Sequence, residues 1–304
     1  MTTSTPQVFV GPADSPALER AVRNAGGDVV PLANADAIIY QGPNDPQATA
    51  DLLHPGVRWL QLPNAGVEKW TTAGVVTADP VWTSASGAYG PQVAEHALAL
   101  LLLAARELHT YARSHEWTSK RGRTLAGSVV SLVGFGGIGR DLLPLLRALD
   151  ARVWAVTDSG QVENAERTVP RAAYRDLLPD SDFVVLLAPS TPATRGMIGA
   201  TEFAIMKSDA WLINVARGDL VVTADLLEAL QHEHIAGAAL DVTDPEPLPA
   251  GHPLWSQDRA FITPHSANPD AVHDRSLARR VSDNVERFGA GQQLLGVIDP
   301  QSGF

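Results

Sequence analysis

Short apolar runs alternate with helical patterns along almost the whole chain. In the first part, strands are predicted at Gln7–Val10, Ala37–Tyr40 and Val57–Leu62, with helices near residues 17–25 and 47–53. The second part continues the alternation with predicted strands at Ser128–Val133, Ala151–Val156, Phe183–Leu187, Trp211–Val215, Ala236–Leu240 and Ala260–Ile262. Alternating strands and helices of this length predict parallel sheets covered by helices, an α/β fold.

Two longer helices mark the organisation of the chain. The first, Pro91–Leu108, opens on proline and is apolar over Ala97–Ala105, and we interpret it as the connection into a second domain. The second, Ala271–Phe288, precedes a short apolar tail around residues 294–298 that can return to the first domain.

A glycine-rich turn follows the strand Ser128–Val133 and precedes a helical pattern. Its residues are Gly134, Phe135, Gly136, Gly137, Ile138 and Gly139. The first glycine permits a tight turn, the second lets the backbone approach a pyrophosphate, and the third lets helix and strand pack closely. Asp158, about 20 residues further on, follows the next strand, where a carboxylate can accept from a ribose hydroxyl. The pattern predicts a dinucleotide site; an ordinary strand-to-helix turn is the alternative.

Composition narrows the class of protein. The 304 residues are 45% hydrophobic, enough for two domains with buried cores. The chain has no cysteine, which excludes disulfides, a thiolate nucleophile and a cysteine zinc site, and we expect no metal. A net charge of −11 argues against nucleic acid and anionic membranes as partners. The amino end, Met1–Pro6, is polar and unlike a signal peptide, so we expect a cytoplasmic protein.

Three polar residues follow three different predicted strands. Arg217 comes after the strand at 211–215, Glu246 lies in a proline-rich segment after 236–240, and His265 follows 260–262. Ligands of open parallel sheets bind beyond the carboxyl ends of the strands. A histidine beside a carboxylate can give and take a proton near neutral pH, and an arginine can bind a carboxylate in two bonds. Each residue alone could equally be a surface residue; their joint placement favours hydride transfer to a 2-keto acid.

The chain resembles the D-isomer-specific 2-hydroxyacid dehydrogenase family over nearly its whole length. The matching stretches are Val93–Ala97, Gly134–Gly139, Pro189–Thr194, Ile213–Gly218, Ala239–Leu248 and Thr263–His265. The resemblance implies an NAD(P)-dependent enzyme in which Arg217 binds the substrate carboxylate and carbonyl, Glu246 supports the histidine, and His265 is the acid/base. It further implies that the loop residues Asn64, Ala65 and Gly66 hold the substrate carboxylate through their amides; an ordinary turn is the alternative for this loop.

The resemblance also implies which residues lie near the cofactor. Besides the glycine turn and Asp158, these are Pro189, Thr191, Pro192, Val215, Ala216, Asp241 and His265. Asp241 and Ala216 are expected near the nicotinamide carboxamide.

The fold implied is a Rossmann domain, residues 94–272, inserted into a discontinuous flavodoxin-like substrate domain made of residues 1–93 and 273–304. Family members are commonly homodimers through their cofactor domains. The apolar helix Ala97–Ala105 is therefore a candidate dimer element, although burial in the core is the alternative.

The cofactor and the substrate leave choices open. Thr157 holds the place of the usual NAD-type acidic residue and Asp158 follows it; because a carboxylate repels a 2′-phosphate, we favour NAD and keep NADP as an alternative.

Glyoxylate, hydroxypyruvate or another small 2-keto acid is the expected substrate. We expect no effector domain, which argues against a long phosphoglycerate dehydrogenase. A short phosphoglycerate dehydrogenase stays an alternative, as do a nucleotide-sensing corepressor-like protein and a dehydrogenase that has lost its substrate.

Overall fold

The computed structural model describes residues 5–117, 121–158 and 160–300. The first four residues of the polar amino end and Ser159 lie outside the described residues. The chain divides into two compact units: Met1–Tyr89 with Pro269–Phe304, and Gly90–Asn268. Our predicted boundaries follow residues 93 and 272. The observed boundaries follow residues 89 and 268, a few residues earlier in each case.

The first unit contains a five-stranded parallel sheet. Its strands are β1 (Gln7–Pro12), β2 (Asp28–Val29), β3 (Ala37–Gln41), β4 (Trp59–Gln61) and β5 (Val81–Thr83), in the order β2-β1-β3-β4-β5. The helices of this unit are α1 (Pro16–Asn24), α2 (Pro46–Ala50), α3 (Glu68–Thr72) and, at the end of the chain, α9 (Asp270–Gly289). This is the flavodoxin-like strand order, which confirms the prediction.

Local sequence explains where several of these elements begin. Helix α1 starts at Pro16 after Ser15, whose hydroxyl accepts from the backbone, and α2 starts at Pro46 after Asp45, whose carboxylate does the same. Strands β2 and β5 were not predicted, because segments of two and three residues carry too little periodicity to be detected. The predicted return of the tail is observed: the amide of Ile298 donates to Trp82 on β5.

The second unit contains a seven-stranded parallel sheet. Its strands are β6 (Val129–Val133), β7 (Arg152–Val156), β8 (Arg167–Val169), β9 (Phe183–Leu186), β10 (Trp211–Asn214), β11 (Gly237–Leu240) and β12 (Ala260–Ile262). The helices are α4 (Gly90–Ala105), α5 (Leu108–Arg113), α6 (Gly137–Ala148), α7 (Ala200–Ile205) and α8 (Thr223–Gln231). The strand order β12-β11-β10-β9-β6-β7-β8 is that of a doubly wound Rossmann sheet with one strand added, as predicted.

Two details of this unit differ from the prediction. The helix predicted over residues 91–108 ends at Ala105, and a separate helix, α5, begins at Leu108, because Glu107 between them adopts a left-handed conformation with φ of 50°. Strand β8 was missed, since it has three residues, of which two are only partly buried, at the edge of the sheet.

The central strands of the second sheet are buried on both faces. Every residue of β6, β9, β10 and β11 is buried, which explains their nearly continuous apolar sequences. The polar residues that matter therefore lie beyond the strand ends. Within the described part of the chain, none of the helices combines the length and the apolar character that crossing a bilayer requires.

Candidate active site

The glycine turn fits a bound dinucleotide. Gly134 has φ of 104°, and a Cβ there would come within 2.6 Å of the Ala188 amide, so only glycine can make this turn. A Cβ on Gly136 would meet nothing within 4 Å, which leaves open space for a phosphate to approach the backbone. Gly136 is also the N-cap of the twelve-residue helix α6, whose amino end favours anions. Gly137 and Ile138 begin this helix, and Gly139 packs against the Phe135 ring.

Asp158 lies two residues beyond β7 and forms an ion pair. Nε of Arg171 is 3.3 Å from Oδ1 of Asp158, and the Asp158 side chain is 75% exposed. The carboxylate is thus accessible at the end of the strand, where the sequence predicted an acceptor for a ribose hydroxyl.

The predicted cofactor turn at residues 189–194 is closed by hydrogen bonds. The Thr194 hydroxyl donates to the Pro189 carbonyl at 2.6 Å and accepts from the Thr191 amide at 2.8 Å, and Pro192 lies between them in sequence. The hydroxyl of Ser190 donates to Asp219 at 2.6 Å. Asp219 comes two residues after Arg217, so the contact ties this turn to the loop that carries the arginine.

The loop after β10 holds Arg217. Val215 and Ala216 are buried, and the Asn214 side chain, also buried, accepts from the Ala216 amide and donates to the Arg217 carbonyl. The Arg217 guanidinium donates to the Ala216 carbonyl at 2.7 Å. The hydrogen bonds of Asn214 fix the backbone of this loop, and the bond to Ala216 holds the guanidinium close to that backbone.

Gly218 brings the arginine loop against the segment that leads to Glu246. A Cβ on Gly218 would lie 2.0 Å from the backbone of Thr243, so any other residue would push the two loops apart. Gly218 lies within a stretch that matches the family, but no role was predicted for it. The signal for one was its residue type, because glycine permits a close approach between two backbones.

His265 and Glu246 are in direct contact. Nδ1 of the His265 ring is 2.6 Å from Oε1 of Glu246, and about half of each side chain is exposed. His265 has φ of 52°, a left-handed conformation that is uncommon for a residue with a side chain. Among the described residues, no hydrogen-bond partner contacts Nε2 of His265, so this nitrogen is available to a ligand.

The Asp241 carboxylate holds the chain on both sides of His265. Oδ1 accepts from the Thr263 hydroxyl at 2.6 Å and from the Ser266 amide at 2.8 Å, while Oδ2 accepts from the Ala267 amide at 3.0 Å. The Asp241 carbonyl accepts from the His265 amide at 2.8 Å. These bonds stabilise the left-handed conformation of His265.

Burial of the Asp241 carboxyl opposes its ionisation, but hydrogen bonds outweigh burial and lower its pKa to about 2. The donors are His96, Thr263 and the amides of Ser266 and Ala267. His96 extends from α4 and lies 3.3 Å from Oδ1 of Asp241. His96 and Thr263 lie inside stretches that match the family, but no function was predicted for them. The predicted contact of Asp241 with a carboxamide stays a prediction.

The loop predicted to bind the substrate carboxylate belongs to the first unit. It follows β4, and the Asn64 carbonyl accepts from the Ala85 amide at 2.8 Å. In residues 5–117, 121–158 and 160–300, no acceptor takes the amide hydrogens of Asn64, Ala65 and Gly66. Unpaired amides at the carboxyl end of a parallel strand are suited to bind an anion.

Comparison with known proteins decides the family. Residues 97–267, more than half of the chain, match the profile described as "D-isomer specific 2-hydroxyacid dehydrogenase, NAD binding domain". The chain belongs to the D-isomer specific 2-hydroxyacid dehydrogenase family. The predicted family resemblance is thereby confirmed, and the protein is an NAD(P)-dependent oxidoreductase of this family.

Individual family members can be aligned with this protein over most of its length. Glyoxylate/hydroxypyruvate reductase A of Photorhabdus laumondii is 31% identical over 263 residues, which covers 82% of each protein. Among solved structures, a D-isomer specific 2-hydroxyacid dehydrogenase of Xanthobacter autotrophicus in complex with NADPH and MES is 26% identical, with a TM-score of 0.85 over 99% of this chain and 100% of the other. An NADPH-dependent glyoxylate/hydroxypyruvate reductase of Sinorhizobium meliloti, in complex with NADP and sulfate, is 27% identical with a TM-score of 0.83 over the same shares.

Proposed function

We propose that this dehydrogenase reduces a small 2-keto acid such as glyoxylate or hydroxypyruvate to the corresponding 2-hydroxy acid. The observation that carries the proposal is the 2.6 Å contact between His265 and Glu246 beyond the carboxyl end of β12. In this reaction His265 gives a proton to the keto oxygen, Glu246 supports the imidazole, and Arg217 binds the carboxylate and carbonyl of the substrate. Oxidation of the hydroxy acid uses the same groups in reverse.

The contact with Glu246 determines which nitrogen of His265 exchanges the proton. A carboxylate accepts hydrogen bonds, so Nδ1 of His265 carries a hydrogen and donates it to Glu246. The remaining nitrogen, Nε2, then donates its proton to the oxygen of the keto acid. Before this transfer the ring is a positively charged imidazolium, which the adjacent carboxylate stabilises.

Arg217 supplies a local positive charge for an anionic substrate in a protein whose net charge is −11. Its guanidinium can form two parallel bonds to a carboxylate and polarise a neighbouring carbonyl, which a lysine cannot do in the same geometry. In the first unit, we propose that the amides of Asn64, Ala65 and Gly66 bind the substrate carboxylate as well.

A bound nicotinamide dinucleotide supplies the hydride. We propose that the glycine turn from Gly134 to Gly139 holds its pyrophosphate, that Asp158 accepts from its adenosine ribose, and that the segments around Thr191, Ala216 and Asp241 line the rest of the site. The exposed carboxylate of Asp158 favours NAD over NADP, although the two structures described above contain NADPH or NADP.

The charges near the first unit's loop support a small substrate. A phosphoglycerate dehydrogenase needs a cation for a distal phosphate, and the loop at residues 64–67 contains no arginine or lysine. The guanidinium of Arg58, before the loop, is paired with Asp36 at 2.8 Å, and Lys69 follows the loop on α3. This favours a small unphosphorylated acid, the class named for the Photorhabdus and Sinorhizobium relatives.

Two further predictions concern the assembly and the location of the enzyme. We propose a homodimer formed through the second unit. Most of the apolar helix Ala97–Ala105 is buried within the subunit, and its exposed residues are Ala99 and Leu102, the latter at 36%. We also propose that the enzyme is cytoplasmic.

The decisive experiment follows nicotinamide absorbance with NADH or NADPH and a panel of glyoxylate, hydroxypyruvate, pyruvate and 3-phosphohydroxypyruvate. We expect turnover with glyoxylate or hydroxypyruvate. Turnover of the phosphorylated acid alone would identify a phosphoglycerate dehydrogenase. Tight binding of NAD(P)H without turnover of any acid would instead support the nucleotide-sensing alternative.

A further inference from the structure

Tyr89, which is buried, and His273, whose side chain is 31% exposed, form a pair in the first unit that the proposed mechanism does not use. Their rings stack with centroids 4.9 Å apart and planes at 24°, and the Tyr89 hydroxyl lies 2.9 Å from Nε2 of His273. Tyr89 is the last residue of the first unit before the chain enters the second, and His273 is in the first turn of α9, just after the chain returns. The pair joins two segments that are distant in sequence.

The Tyr89 hydroxyl also contacts the residue before the Asn64 loop. Its oxygen is 2.5 Å from the carbonyl oxygen of Pro63. Only the hydroxyl has a hydrogen to share between these two atoms, so Tyr89 donates to Pro63 and its oxygen is left to accept from Nε2 of His273. The other ring nitrogen of His273, Nδ1, lies 3.3 Å from Oδ1 of Asp274. Burial raises the pKa of Tyr89 above its ordinary value, which keeps this hydrogen in place.

This hydrogen bond fixes the direction of an amide that the substrate is expected to use. The Pro63 carbonyl and the Asn64 N–H belong to one planar peptide unit and point in opposite directions. Holding the carbonyl therefore aims the N–H. The next peptide unit is held in the same way, because the Asn64 carbonyl accepts from Ala85 at 2.8 Å and so orients the Ala65 N–H.

We propose that Tyr89 and His273 are positioning residues that aim the Asn64 amide at the carboxylate of the substrate. The proposal rests on the proposed function, since it assigns the loop to carboxylate binding. Tyr89 acts on the loop directly through Pro63, and His273 acts through Tyr89 by orienting its hydroxyl.

The test compares variants that remove one contact each. Tyr89→Phe keeps the stacked ring and removes the hydroxyl, and His273→Ala removes the donor to that hydroxyl. We expect each variant to raise the KM for glyoxylate about fivefold, the loss of one hydrogen bond, with kcat and the Kd for NAD(P)H within about twofold of wild type. His273→Gln, which retains an N–H donor, is expected to restore most of the loss.

A double variant distinguishes a positioning role of His273 from general damage to the fold. Because His273 acts through Tyr89, the double variant is expected to have the KM of Tyr89→Phe alone. Tyr40→Phe is the matched control: Tyr40 is buried in the same unit and its hydroxyl donates to the carbonyl of Pro43 at 2.8 Å, but that proline does not precede the Asn64 loop. We expect the KM of this control to be unchanged.

Amide hydrogen exchange keeps the inference testable whatever the substrate. The Ala85 amide donates to the Asn64 carbonyl, so its exchange reports the order of the loop, and we expect it to speed up in Tyr89→Phe and not in Tyr40→Phe. Wild-type KM and wild-type exchange in Tyr89→Phe would overturn the inference while leaving the proposed function intact. If the wild-type protein reduces no keto acid, the proposed function fails, and the exchange rates alone decide whether Tyr89 holds the loop.

Discussion

Nδ1 of His265 lies 2.6 Å from Oε1 of Glu246, although 19 residues separate them in the sequence. The loops after β11 and β12 bring them together, and Asp241 fixes the backbone around the histidine. This contact determines the tautomer of His265 and assigns proton transfer to Nε2 in the proposed reaction.

Replacing His265 with asparagine is expected to lower kcat at least a hundredfold, because no other group in the proposal gives the substrate its proton. The Kd for NAD(P)H should stay within about twofold, since the glycine turn and Asp158, which are proposed to hold the dinucleotide, are unchanged. His232→Asn, an exposed histidine at the end of α8, serves as the control. If the two variants have the same kcat, His265 does not take part in proton transfer.

Glu246→Gln tests the support of the imidazole. The variant retains the size of the side chain but not its charge, so it stabilises the imidazolium less well. We expect kcat to fall roughly 10- to 100-fold, with a smaller loss than in His265→Asn. Steady-state kinetics with glyoxylate measure this. A variant as active as wild type would show that the contact is structural.

Arg217→Lys keeps a positive charge and removes the planar fork. If the guanidinium binds the carboxylate in two bonds, kcat/KM for the keto acid should fall about 10- to 100-fold. The matched control is Arg259→Lys, since Arg259 pairs with Glu233 at 2.7 Å and has no role in the proposal. An unchanged kcat/KM in Arg217→Lys would contradict a bidentate contact.

Asp241 is expected to make stability depend on pH. Its pKa is about 2 in the folded protein against an ordinary value of 3.8, so its charge stabilises the fold above pH 4 and this contribution is lost as the pH falls towards 2. The difference corresponds to about 2 kcal/mol. Asp241→Asn should therefore lower the Tm relative to wild type most strongly above pH 4. The difference in Tm between the variant and wild type should become smaller below that pH.

Thermal melting of Asp241→Asn and wild type between pH 6 and 3 measures this prediction. The control is Asp258→Asn, because the Asp258 side chain is fully exposed. A deficit that is constant across the pH range would mean that packing, and not the charge of Asp241, is what the substitution removes.

Asp158→Ala should shift cofactor preference towards NADPH. Removing the carboxylate abolishes repulsion of a 2′-phosphate and also loses the acceptor for the ribose of NAD, so the ratio of the Kd for NADPH to that for NADH is expected to fall about tenfold or more. Titration of nicotinamide fluorescence measures both values, with the exposed Asp180 changed to alanine as the control. An unchanged ratio would show that Asp158 does not contact the ribose.

The sequence by itself determined the α/β class, most of the strands and the glycine turn. Parallel strands buried on both faces must be continuously apolar, and a phosphate turn needs glycine at fixed positions, so both leave local signals. Arg217, Glu246 and His265 could be proposed because each lies in the segment that follows a predicted strand. Short edge strands such as β8 and the left-handed break at Glu107 carried no comparable signal.

Only the tertiary structure decided how distant residues combine. The Asp241 carboxylate holds the turn of His265 with help from His96, the backbone of Thr243 excludes any side chain at Gly218, and Tyr89 meets both Pro63 and His273. These contacts join segments separated by up to 184 residues. Hydrogen-bond direction and steric exclusion depend on distances of a few ångströms between such segments, and those distances are set by the packing of the sheets and helices.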